Sequence, residues 1–172
     1  MRAAFFIPTA IAIAVPAQAA VFLTLEQAQA EMFPGARLTP DFRTLTDEQV
    51  AAIEKASDID VRSRQIRAWR VSTGGWFIAD EVVGKHDFIP FALALDAAGA
   101  VKSVEILEYR EAYGGEVRNP KWLAQFKGKK NGDRLKLTDD IQNISGATLS
   151  SKHVTDGVRR LLATYAVVLA PR

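Results

Sequence analysis

Ser145-Gly146-Ala147-Thr148-Leu149-Ser150-Ser151 is the stretch of this chain best suited to chemistry. Its small side chains let a ligand approach the backbone, and four of them carry hydroxyls. Gly146 has access to dihedrals that other residues avoid. An apolar helical stripe begins directly afterwards, so the segment falls at a helix start. Unpaired N–H groups and the positive end of the helix dipole favour phosphate there. Two readings fit these residues: a phosphate seat, or a loop whose serines cap a helix. A second stretch, Glu108 to Glu116, is too polar and glycine-rich to continue a core strand. Taken alone it reads as a solvated loop with a tyrosine packed on a sheet.

Composition removes competing chemistries. The 172 residues contain no cysteine, which excludes disulfides, cysteine-bound iron–sulfur clusters, c-type haem and a thiol nucleophile. Two histidines, His86 and His153, are too few for a histidine-rich zinc site, and no metal ligand set is expected. A net charge of +2, with no basic run interleaved with aromatics, argues against nucleic acid. No Ser-His-Asp order, HExxH motif or Walker loop is present, and no catalytic residue is assigned. His86 reads as a surface residue in a turn. His153, one turn into the last helix, either reaches a phosphate or is exposed.

These segments need a scaffold, and the chain predicts an α+β fold: an antiparallel β-meander packed with helices. Thr24 with Gln27, and Thr46 with Gln49, are capping boxes for two early helices. The second, running to about Ala56, has few apolar residues and is expected on the surface. Strands follow at Ile66–Ser72, Trp76–Val83, Phe88–Asp96 and Val101–Glu108. Thr73-Gly74-Gly75, the Gly84–Asp87 turn and Asp96–Gly99 connect them as hairpins. In the third strand Phe91, Leu93 and Leu95 point one way, and Ala92 and Ala94 the other. Asn119-Pro120 opens a helix that Gly128 stops. The last helix is expected from Ser150 or Ser151 to about Leu169, with Gly157 allowing close packing. Trp69, Trp76 and Trp122 read as core or half-buried residues.

The N-terminus reads as an export signal. Arg2 precedes an apolar run from Ala3 to Val15, and Ala17-Gln18-Ala19 supplies a small-residue cleavage site. The run is shorter than the roughly 20 residues that cross a bilayer as a helix. The domains expected are a signal peptide over 1–19, an N-terminal helical segment over 20–60 and the main domain over 61–172. The protein is expected to be exported and periplasmic, with membrane association only through an uncleaved N-terminus or a partner.

Ser-Gly-Ala-Thr followed by Leu-Ser-Ser at a helix start near the C-terminus resembles the flavinylation motif of the FMN-binding domain family. That family includes flavin-carrying components of the sodium-pumping NADH:quinone reductase and of the Rnf electron-transport complex. The resemblance covers roughly residues 70–165 and takes in Gly84-Lys85-His86 and the run Glu108 to Val117. It implies FMN joined to Thr148 through a phosphoester installed by a dedicated flavin transferase. Ser145, Gly146 and Ala147 match the preceding motif positions, and Leu149 and Ser150 follow the attachment site. The cofactor ring is then expected against Glu111, Tyr113, Gly114 and Gly115. Gln142 stands where the family usually has Asp; Asp139 and Asp140 lie slightly earlier. The implied function is electron transfer between a membrane or extracytoplasmic donor and an acceptor, a role that needs no substrate turnover of its own. Arg62, Arg64, Arg67 and Arg70 are either a docking surface for a redox partner or a solvated strand face. The alternatives are a noncovalent FMN protein (a sensor or reductase component), a flavin-free exported binding module, or a flavoenzyme acting on a small substrate.

Overall fold

The computed structural model describes residues 20–111 and 113–171. The expected signal peptide over 1–19 lies outside the described residues.

The meander is present. β4 (Gln65–Val71), β5 (Trp76–Val83), β6 (Phe88–Leu95) and β7 (Val101–Ile106) are antiparallel neighbours in one sheet. Register runs from Trp76↔Leu95 at one end of the β5–β6 hairpin to Val83↔Phe88 at the other. Gly74, Gly75 and Gly99 take positive φ in the connecting turns, as tight hairpins require.

Both faces of the sheet are covered. The face carrying Ile78, Val82, Phe91 and Leu93 packs on α2 (Asp47–Ser57), α3 (Pro120–Leu123) and α4 (Thr148–Thr164). The opposite face carries Phe77, Ala79, Ala92 and Ala94, and its alanines leave room beside Phe77 for Ala28 and Met32 of α1 (Leu25–Met32). Gly157 brings α4 close to the sheet: a Cβ there would lie 2.6 Å from Val82 Cγ1 and 3.1 Å from the Phe91 ring. All three tryptophans are buried.

Both capping boxes form, at Thr24–Gln27 and Thr46–Gln49, and the Asn119 side chain accepts from Lys121 N. Four expectations need correcting or sharpening. First, α2 lies at the surface as expected, but it is anchored there by Ile53, fully buried against the main core, with Val50 packed partly against it. Second, residues 20–60 are not only helical. β2 (Leu38–Pro40) and β3 (Arg43–Thr44) pair antiparallel with β4 and extend the sheet edge. Third, β1 (Ala20–Val21) pairs with β8 (Glu108–Tyr109), so the polar run after β7 begins as a short strand. Fourth, α4 starts at Thr148 and passes into a π-helical turn at Tyr165–Leu169. Among the described residues, no helix is long and apolar enough to cross a membrane.

Candidate functional site

Three segments distant in sequence meet at the Val83–Phe88 end of the sheet. The β5–β6 turn brings Lys85 and His86. The loop after β8 brings Glu111 and Tyr113. The start of α4 brings Gly146, Ala147, Thr148, Leu149 and Ser150. Together they line a cavity of about 480 Å³, inside the range of small-molecule sites, about 300–1,000 Å³. Seven of the ten residues singled out by the sequence are in that lining.

The helix start is left open. Ala147 is the N-cap residue and no side chain caps the helix. Its first backbone bond runs from Ser151 N to Ala147 O at 2.9 Å. The N–H groups of Thr148, Leu149 and Ser150 therefore have no partner within the helix. The serines do not fill that role. Ser151 Oγ donates to Ala147 O at 2.8 Å, and Ser150 Oγ lies 2.9 Å from Tyr109 Oη. Gly146, at φ +84°, turns the chain into the helix.

Tyr109 ties this helix to the loop opposite. Its Oη donates to Tyr113 O at 2.6 Å. A tyrosine has one hydroxyl proton, so Ser150 is the donor in the Tyr109–Ser150 bond. Burial pushes the Tyr109 hydroxyl above its ordinary pKa, more than Ser150 lowers it, and the phenol stays protonated in neutral solution. Gly114 sits beneath this junction at φ +96°. A Cβ there would lie 2.5 Å from Tyr109 Oη and 3.3 Å from both Ala147 Cβ and Ser150 Oγ. Gly114 thus shapes the wall from behind and is not part of the lining. Gly115 begins a 3-10 turn over Gly115–Arg118 and Ser145 is exposed, both outside the lining.

Glu111 faces the neighbouring turn. Its Oε1 accepts from His86 N at 2.6 Å and Asp87 N at 3.1 Å. Burial is the largest single effect on this carboxyl and raises its pKa. The backbone N–H groups of His86, Asp87 and Lys85 together outweigh it and hold the group below the usual carboxylate range. Glu111 thus lines the cavity and also anchors the turn that carries Lys85 and His86. A Cβ at Gly84 would collide with it.

Apolar surface is exposed at the same place. Tyr113 is 86% exposed and Leu149 48%, and both line the cavity. Thr148 is exposed as well, which leaves its hydroxyl accessible.

Sequence reasoning assigned no site role to three residues here. Lys85 and His86 fall in the stretch the resemblance takes in, but nothing local showed that their turn faces the helix, where both line the cavity. Asn143 donates from Nδ2 to Thr148 Oγ1 at 3.1 Å. An isolated asparagine five residues before a threonine carries no periodic signal. His153 takes neither expected place: half-buried, its Nδ1 is hydrogen-bonded to the Val83 carbonyl. Of the four clustered arginines, Arg64 pairs with Asp47 at 2.5 Å and Arg70 with Asp41 at 2.7 Å; all four are exposed.

A larger cavity, about 540 Å³, lies at the Trp76–Leu95 end, between Arg43, Arg70, Trp76 and Tyr165. Its charges are already matched. Arg43 donates to both Asp41 carboxylate oxygens, at 2.9 and 3.0 Å, and from Nη1 to Val168 O at 2.6 Å. Arg70 stacks over the Trp76 ring at 4.7 Å.

The first cavity fits a flavin phosphate: an open helix start for the anion, apolar side chains for a ring, and a lysine on the far wall. Residues 84–163 match the family model of the FMN-binding domain. No curated protein matches the chain. The matched stretch contains all three walls of this cavity, and the match over residues 84–163 supports a flavin-binding protein with FMN as its cofactor.

Proposed function

We propose that this protein is exported to the periplasm, carries FMN through a phosphoester on Thr148, and passes electrons between a membrane or extracytoplasmic donor and an acceptor. One observation carries the reading. Thr148 is exposed at the first position of a 17-residue helix whose N-terminus no side chain caps, on the edge of the cavity lined by Leu149 and Tyr113. The open N–H groups of that turn suit a phosphate. Leu149 and Tyr113 offer faces for the ring, and Lys85 offers positive charge. FMN supplies reversible redox chemistry when bound, and the chain's part is to hold it and set its surroundings.

Export rests on the pattern of the first 19 residues. Outside the cytoplasm a covalent tether replaces a dilute free cofactor by a high effective concentration. The partners are then a flavin transferase, a donor protein and an acceptor protein. The main domain spans 61–172, preceded by the segment 20–60. A second reading, noncovalent FMN in a sensor or reductase component, is favoured by one residue: Gln142, where the resemblance places Asp.

Intact mass tests the proposal. The mature protein is coexpressed with a flavin transferase in an exporting host, beside Thr148→Ala. The expected result is an added mass of FMN less one water, absent from Thr148→Ala. Yellow protein that releases FMN on denaturation would replace the phosphoester by noncovalent binding. Colourless protein, with the transferase active on a control, would overturn the flavin-carrier reading altogether.

A further inference from the structure

Thr148 is exposed, yet its hydroxyl is held. The Asn143 side chain bridges two hydroxyls of the first turn of α4. Nδ2 donates to Thr148 Oγ1 at 3.1 Å, and Oδ1 accepts from Ser151 Oγ at 3.1 Å. Ser151 is fully buried, and its single hydroxyl proton is shared between Asn143 Oδ1 and the Ala147 carbonyl at 2.8 Å, so one end of the bridge is fixed to the helix. The backbone leading into Asn143 is fixed too. Trp122 Nε1 donates to Gln142 O at 2.7 Å, and Gln142 N donates to Gln125 Oε1 at 2.8 Å. Gln125 in turn donates from Nε2 to Trp122 O at 3.1 Å. A continuous frame thus runs from buried Trp122, through the backbone of Gln142 and the amide of Asn143, to the oxygen of Thr148.

We infer that Asn143 is the positioning residue for cofactor attachment at Thr148, an inference that rests on the phosphoester reading above. A threonine on an open surface moves among staggered wells. The bond from Asn143 selects the one in which Oγ1 meets Nδ2. A hydroxyl oxygen has two lone pairs and one proton. With one lone pair engaged by Asn143, the second is free for phosphorus and the proton is free to leave.

Attachment forms the Thr148 Oγ1–P bond. It breaks the P–O bond of an FMN activated as a phosphoanhydride, supplied with the transferase. The phosphate leaving group departs with the bonding pair, and the hydroxyl proton passes to a base on the transferase. Nothing is oxidised or reduced. As the proton leaves, negative charge grows on Oγ1, and a preplaced N–H donor stabilises charge that develops in the transition state. Gln142 contributes only its backbone to this frame, so the residue beside it carries the effect.

The experiment measures the rate of FMN attachment by intact mass, with purified transferase and an activated flavin donor. It compares wild type, Asn143→Ala, Asn143→Asp and Gln142→Ala at varied chain concentration. Asn143→Asp keeps the size of the side chain and an acceptor for Ser151 but removes the N–H donor. Both Asn143 variants are expected to lower kcat at least tenfold with KM within twofold of wild type, and Gln142→Ala to stay within twofold in both. Melting temperature and circular dichroism, unchanged in Asn143→Asp, separate this from unfolding. Wild-type kcat in Asn143→Asp would overturn the inference, as would equal slowing in Gln142→Ala. No attachment to wild type would instead overturn the phosphoester reading on which it stands.

Discussion

The two ends of α4 are finished in opposite ways. Its C-terminal continuation is closed: Arg43 donates to the Val168 carbonyl, and Asp41 neutralises Arg43 while holding Arg70. Its N-terminus is open: Ala147 offers no cap, and the nearby serines bond elsewhere. Each end faces a cavity, and the closed end faces the larger one. The two are separated by the length of β5, about 25 Å for eight extended residues. Volume alone would point to the closed end. Unmet hydrogen-bonding capacity distinguishes them, because a helix end without partners is otherwise a cost that folded proteins avoid. The positive end of the dipole is left available to an anion, while the negative end already has its cation.

Substitutions at the two ends should therefore separate stability from cofactor content. The largest effect is expected at Gly114, behind the open end. Gly114→Ala puts a Cβ 2.5 Å from Tyr109 Oη at φ +96°, and should cost about 2–3 kcal/mol in urea unfolding and lower FMN content. Retention of full FMN content would show that the Tyr109 tie does not shape the cavity. Arg43→Met at the closed end is expected to cost about 1–2 kcal/mol, with FMN content unchanged. A loss of cofactor there would erase the distinction between the ends.

The smallest effect is a pH dependence at the closed end. The Arg43 hydrogen bonds, against an opposing contribution from burial and with help from Arg70, lower the Asp41 carboxyl from 3.8 to about 2. Its folded pKa lies below its unfolded one, so the stabilisation is fully present above about pH 4. It is lost as pH falls through 2. Asp41→Asn should be less stable than wild type by about 1 kcal/mol at pH 6, with the gap closing toward pH 2. A gap that persists unchanged at pH 2 would sink the assignment of this stabilisation to the ion pair.

Local features of the fold were legible because each is decided within a few residues. The capping boxes at Thr24 and Thr46 and the Asn119-Pro120 start follow from side chains three or fewer positions away. The meander follows from period-two runs separated by glycine turns. β2 and β3 did not show, since strands of three and two residues exist only through pairing with β4. The start of α4 at Thr148, ahead of the serines, went unread because serines look like caps until Tyr109 and the Ala147 carbonyl engage them. Within the site, the Ser145–Ser151 segment was visible as a cluster of small and hydroxylated residues. Asn143, Lys85 and the true partner of Glu111 were not, because each acts across a contact that only the folded chain creates.

The cross-ties around the cavity have one more consequence. Glu111 fastens the loop to the turn, and Tyr109 fastens the same loop to the helix. The three walls are thus joined before any ligand arrives. A cofactor entering such a site has little chain left to order, so its contacts are not offset by lost conformational freedom. In the proposed electron-transfer role, walls that keep their shape in this way would also have little to rearrange between the two redox states.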